Sequence, residues 1–94
     1  MAFFPANKGL IIKKASKTIT TSGGSGNAAL GVTTSQADVI GAYTTTQYNG
    51  RAVCVNVAVA GDNNYYAHCY TAFNELEVLP SNTSIDIVYF YIDK

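Results

Sequence analysis

The chain has 94 residues, enough for one core and too few for two, because an independent domain needs about 50 residues at the least and usually more than 100. Six Lys plus Arg balance six Asp plus Glu and only 13% of residues are charged, which argues against a nucleic-acid binder, since that needs a basic face to neutralise phosphates. Hydrophobic residues make up 48%, enough to build a core and too many for a disordered chain.

In chain order, Met1, Ala2, Phe3, Phe4 and Pro5 are too few, and lack the basic n-region, to be a signal peptide; they read as an artificial or trimmed start. Residues 8–15 read as a short strand or a connector. Val, Ile and Thr supply 25 residues and Tyr plus Phe supply 11, the set that fits a pleated surface. Strands are therefore predicted at 17–22, 28–32 and 39–45, the first two joined by a Gly/Ser-rich loop, with a single helical turn at 35–38.

The clearest strand runs over 51–60, where Val53, Val55, Val57 and Val59 share one face and are predicted to be core, opposite Cys54, Asn56 and Ala58. After a turn at Gly61, Asp62, Asn63 and Asn64, residues 65–73 return as the second strand of a hairpin. A two-residue loop sets Cys54 across from Cys69, whereas an odd loop sets Val55 across from Cys69 with Tyr65, Ala67, Cys69, Thr71 and Phe73 facing inward. The odd loop keeps that face apolar and is the one predicted. Both cysteines then read as small buried hydrophobes without a disulfide. Glu75 and Glu77 share one face of an exposed strand, opposite Leu76 and Val78. The final strand, 83–93, alternates through Ile85 and Ile87 and then turns apolar on both faces from Val88 to Ile92, which predicts a central strand or one at a subunit interface.

The whole is expected to be an all-β, small antiparallel sandwich or barrel of about six to eight strands, with 1–15 as an N-terminal strand or connector and 16–94 as a single domain. No apolar run approaches the ~18 residues of a membrane-spanning helix, so no membrane insertion is expected. Two cysteines and one histidine are too few for a zinc centre, and Asp62, Asn63 and Asn64 offer too few carboxylates for calcium. No metal, cofactor or catalytic group is predicted. His68 and Cys69 are neighbours, hence on opposite faces of a strand, and cannot pair as base and nucleophile. Sugar recognition needs aromatic faces beside amides and carboxylates, and two tips supply them: Tyr48, Asn49 and Arg51 in one, Asp62, Asn63, Asn64 and Tyr65 in the other. These seven are the candidate ligand-binding residues.

The run Ile19-Thr-Thr-Ser-Gly-Gly-Ser-Gly-Asn-Ala-Ala-Leu-Gly-Val32, then Val39-Ile-Gly-Ala-Tyr43, then a long hairpin and a closing Ile85-Asp-Ile-Val-Tyr-Phe-Tyr-Ile-Asp-Lys94 resembles the C-terminal head or tip domains of phage and prophage tail-fibre and baseplate proteins of Gram-positive bacteria. The resemblance covers 16–94. It implies a non-enzymatic receptor-binding domain on the virion tail, made in the host cytoplasm and extracellular after release. It also implies a homotrimer joined to an upstream fibre or baseplate segment, with a host cell-surface saccharide as ligand. The alternatives are a purely structural assembly or fibre-capping domain, and a bacterial surface adhesion or lectin module.

Overall fold

The computed structural model describes residues 11–72 and 76–94. The start Met1 to Pro5, the first part of the 8–15 segment, Phe73 and Glu75 lie outside these. Among the described residues there are eight strands: β1 (Lys13–Thr20), β2 (Asn27–Thr33), β3 (Ala37–Thr44), β4 (Gln47–Tyr48), β5 (Arg51–Val59), β6 (Asn64–Ala72), β7 (Leu76–Val78) and β8 (Ser84–Asp93). All pair antiparallel and form two sheets, one ordered β1-β8-β3 and the other β2-β6-β5-β4, with β7 also on β6. The expected all-β architecture is the one found.

The predicted hairpin register is also the observed one, with Val53 opposite Thr71, Val55 opposite Cys69, Val57 opposite Ala67 and Val59 opposite Tyr65. The loop closes through a bond from the Asn63 amide to the Ala60 carbonyl at 3.0 Å, and Asn63 is left-handed at φ 64°. That combination is the three-residue hairpin loop of a β-turn followed by a left-handed residue, which Asn accepts more readily than most side chains.

The core lies between the sheets. Ile19 of β1 and Ile85, Ile87 and Tyr89 of β8 meet Ala28 and Leu30 of β2, Val53 of β5, Tyr65, Ala67 and Cys69 of β6, and Leu79. β8 is the middle strand of its sheet, as one of the two predicted placements had it. Its inward residues alternate with outward ones, and the outward set is polar at Ser84 and Asp86 but apolar at Val88, Phe90 and Ile92.

Four expectations need correction. The valine face of β5 is not uniformly core: burial falls from Val53 through half-buried Val55 and Val57 to Val59, 49% exposed. β4 flanks β5 only at Arg51 and Ala52, so among the described residues the rest of the strand has a paired neighbour on one side only. Residues 35–38 are not helical. The Gln36 amide bonds to the Thr33 carbonyl at 3.0 Å to close a tight turn, and Ala37 and Asp38 already pair with Asp93 and Ile92. β1 runs unbroken from Lys13 to Thr20, so the end of the 8–15 segment is strand and is continuous with the one predicted from 17, because its backbone stays in register with β8 as far as Tyr91 although its first residues bury little.

The last correction concerns Cys54, which is exposed, whereas Cys69 is buried; both are free thiols. Cys54 stands opposite Tyr70 on the outer face. Burial pushes the Cys69 thiol up to about 11, and its Sγ–H points to the Ala67 carbonyl at 3.8 Å. Maleimide labelling followed by mass measurement is therefore expected to add one group to the native protein and two to the unfolded, unreduced protein. No label on the unfolded chain would reveal a bridge and a different register.

Candidate functional site

The two predicted tips lie at opposite ends of β5, a strand of nine residues, and at about 3.3 Å per residue they are about 26 Å apart. They do not make one site. At the first, Asn49 and Gly50 both have positive φ, 52° and 75°, as a two-residue hairpin turn requires. Tyr48 leans on the core, and Arg51 reaches the Glu77 carboxylate at 3.4 Å. At the second, Asp62 Oδ1 accepts the Asn64 amide at 3.1 Å and Oδ2 accepts the Tyr66 hydroxyl at 3.3 Å. Hydrogen bonds from Asn64, side chain first and backbone second, hold the Asp62 carboxyl below its usual range.

Tyr65 sits elsewhere. It is 7% exposed, and its hydroxyl donates to the Ala37 carbonyl at 3.2 Å, which ties β6 to β3 across the core. The aromatic that the hairpin presents to solvent is Tyr66.

Tyr66 heads a row. Tyr66, His68 and Tyr70 alternate with buried Tyr65, Ala67, Cys69 and Thr71, so they share the outer face at about 7 Å intervals. Each polar tip is held by a residue of a neighbouring element. Tyr66 donates to Asp62, Asn56 of β5 donates to the Tyr70 hydroxyl at 3.1 Å, and His68 Nδ1 is 2.9 Å from Asn27 Oδ1 of β2. Asn27 Nδ2 donates onward to Ser25 Oγ at 3.2 Å. The His68 and Tyr70 rings lie 5.5 Å apart at 34°. The result is a preordered strip of ring faces edged by amides.

One end of this strip is a groove of about 340 Å³. The Gly/Ser loop before β2 makes one wall, residues 58–60 make the other, and Tyr66 and His68 lie between them. The Gly/Ser loop stays in place because the Ser22 amide bonds the Asn27 carbonyl at 2.9 Å and the Gly26 carbonyl accepts the Cys69 amide at 2.7 Å.

Sequence reasoning weighed Tyr66 beside Tyr65 but kept only Tyr65 as a ligand candidate, weighed His68 only as a base, and named none of Tyr70, Asn27 and Asn56 as a contact. The usable signal was the hairpin register itself, since a register that sends Tyr65, Ala67 and Cys69 inward sends Tyr66, His68 and Tyr70 outward. Asn27 had no such signal, because it reaches His68 across 41 residues of chain.

No three His, Cys, Asp or Glu side chains gather in a metal-binding group among the described residues. His68 faces outward while the neighbouring Cys69 is buried, so the two do not meet. No family model, curated protein or solved structure matches the chain.

Proposed function

We propose that this domain is a non-enzymatic attachment module of a phage or prophage tail appendage, and that it contacts a cell-surface saccharide. The observation that supports saccharide contact is the Tyr66, His68 and Tyr70 row with its amide partners Asn27 and Asn56. Ring faces pack on sugar C–H surfaces, and fixed amides and hydroxyls reach sugar hydroxyls. The tail setting rests on the resemblance of the 16–94 segments alone. A glycan array probed with the labelled protein tests the reading: selective retention on cell-wall or capsular glycans is expected, and a blank array would count against it.

The partner proposed for assembly is the chain itself, as a homotrimer. The outer face of the β1-β8-β3 sheet supports this. At one end it carries a polar ladder, with Thr18 donating to Asp86 at 2.7 Å and Thr20 3.2 Å from Ser84. At the other, Ile40 is 53% and Tyr43 46% exposed beside Val88, Phe90 and Ile92, with the Tyr43 and Phe90 rings stacked at 6.1 Å. Ile40 occupies the register shift between Val39 and Gly41. An apolar patch of this kind, next to a polar half of the same face, marks an interaction surface. Light scattering should give three times the 10.0 kDa chain mass, and Phe90→Lys should give monomers. A wild-type monomer at all micromolar concentrations would place assembly outside this domain. The same patch also favours a purely structural assembly role, which a blank array together with a stable trimer would support.

A further inference from the structure

Resting on the saccharide-contact reading, we infer that the groove between the Gly/Ser loop and residues 58–60 is the binding site of a single neutral pyranose unit, and that it discriminates against anionic sugars and glycerol phosphates. The first argument is its two-sided chemistry. One side is apolar, made by Ala58, Val59, Ala60 and the ring of Tyr66; the other is polar, made by Ser25, Asn27 and His68. A pyranose has the matching division, with a C–H face and a rim of hydroxyls, whereas a lipid chain has no such rim.

The second argument is size. A volume of about 340 Å³ sits at the low end of the ~300–1,000 Å³ range of small-ligand sites, so it takes one sugar ring, and the remaining aromatic row toward Tyr70 is open for the next.

The third is hydrogen-bond polarity. With Asn27 Nδ2 committed to Ser25 Oγ at 3.2 Å, Asn27 Oδ1 is the acceptor that faces His68 Nδ1 at 2.9 Å. The amide thereby fixes the ring's orientation, and fixed amide and hydroxyl groups of this kind match the hydroxyls of a sugar.

The fourth is charge. No lysine or arginine is among the described residues that line the groove, so an anion would lose hydration without the guanidinium or ammonium that normally replaces it. The charge joined to the groove through Tyr66 is also of the wrong sign, for the Asp62 carboxylate holds the Tyr66 hydroxyl at 3.3 Å.

The test is a ¹⁵N-¹H NMR titration of the full chain with methyl glucoside, methyl galactoside and N-acetylglucosamine, and in parallel with glucuronate and sn-glycerol 3-phosphate. At least one neutral sugar should shift the amides of Asn27, Ala58, Tyr66 and His68 saturably, with a Kd on the order of millimolar, and the two anions should not. Tyr66→Thr should weaken that binding at least tenfold. Ala58→Glu should close the groove and abolish it, while both variants keep the dispersed spectrum of the folded domain. Glucuronate or glycerol phosphate binding as tightly as the neutral sugars would overturn the neutral-sugar class and leave saccharide contact standing. Saturable shifts confined to the tip at Tyr48 and Asn49 would overturn the groove but keep saccharide contact. No shift with any sugar would overturn both.

Discussion

Gly26→Ala is expected to destabilise the domain by about 3–5 kcal/mol, a large part of the total for a chain this size, which is about 5–14 kcal/mol. A Cβ on Gly26 would lie 2.5 Å from the Cys69 carbonyl oxygen, 3.0 Å from Val78 Cβ and 3.3 Å from the Leu79 amide nitrogen. Two of these three neighbours are backbone, which cannot swing aside as a flexible side chain would. They are also the seam of the second sheet. β2 and β7 lie end to end on one edge of β6, and between them Cys69 donates to Gly26 at 2.7 Å and accepts from Leu79 at 3.1 Å. Relieving the clash breaks one of these bonds or prises β7 away from β6. The φ of +75° at Gly26 adds about 1–2 kcal/mol for any side chain.

Gly50→Ala separates the two contributions, because Gly50 has the same φ of +75° but, among the described residues, nothing within 4 Å of its would-be Cβ. It should lose only the backbone part. Urea unfolding of both variants measures the difference, and equal losses would mean that the seam yields and that the contact carries no cost.

What the sequence discloses about this fold is what the side-chain period controls. The β5–β6 register was legible because only one alignment sets Ala67 and Cys69 against Val57 and Val55 on an apolar face. β1 was only half legible: of its eight residues Ile19 alone is buried, and the rest belong to the strand through backbone pairing with β8, which leaves no mark in side-chain pattern. Tyr65 and Tyr66 show how a site can be misjudged when a register is not followed through. Both follow the Asn63–Asn64 tip, and either ring has suitable chemistry for a sugar, yet the predicted register already assigned Tyr65 inward and Tyr66 outward. The pairing of β2 with the far edge of β6, which delivers Asn27 to His68, is a long-range event that no local pattern announces.

On the proposed saccharide reading, Tyr66→Thr together with Tyr70→Thr is expected to abolish retention on the glycan array and adsorption to host cells while the domain stays folded. Threonine keeps the β-branched character that a strand favours and removes the ring. Both tyrosines are only half-buried on the outer face, so the double change should cost about 1 kcal/mol and lower the thermal midpoint by about 4–8 °C. Binding suffers far more. Two stacking rings would supply about 2 kcal/mol per proposed sugar site, roughly a 30-fold loss of affinity, and each such site would be weak to begin with because a shallow contact must offset the lost freedom of the ligand. When several copies engage together, the loss compounds across them, as avidity multiplies single-site affinities. Asn49→Ala, at the far end of β5, is the matched comparison and should retain binding. Persistence of binding in the tyrosine double variant together with its loss in Asn49→Ala would move the contact surface to the β4–β5 tip. Persistence in both would remove the aromatic row and that tip from recognition and leave the apolar half of the outer face of the β1-β8-β3 sheet as the surface for the proposed attachment.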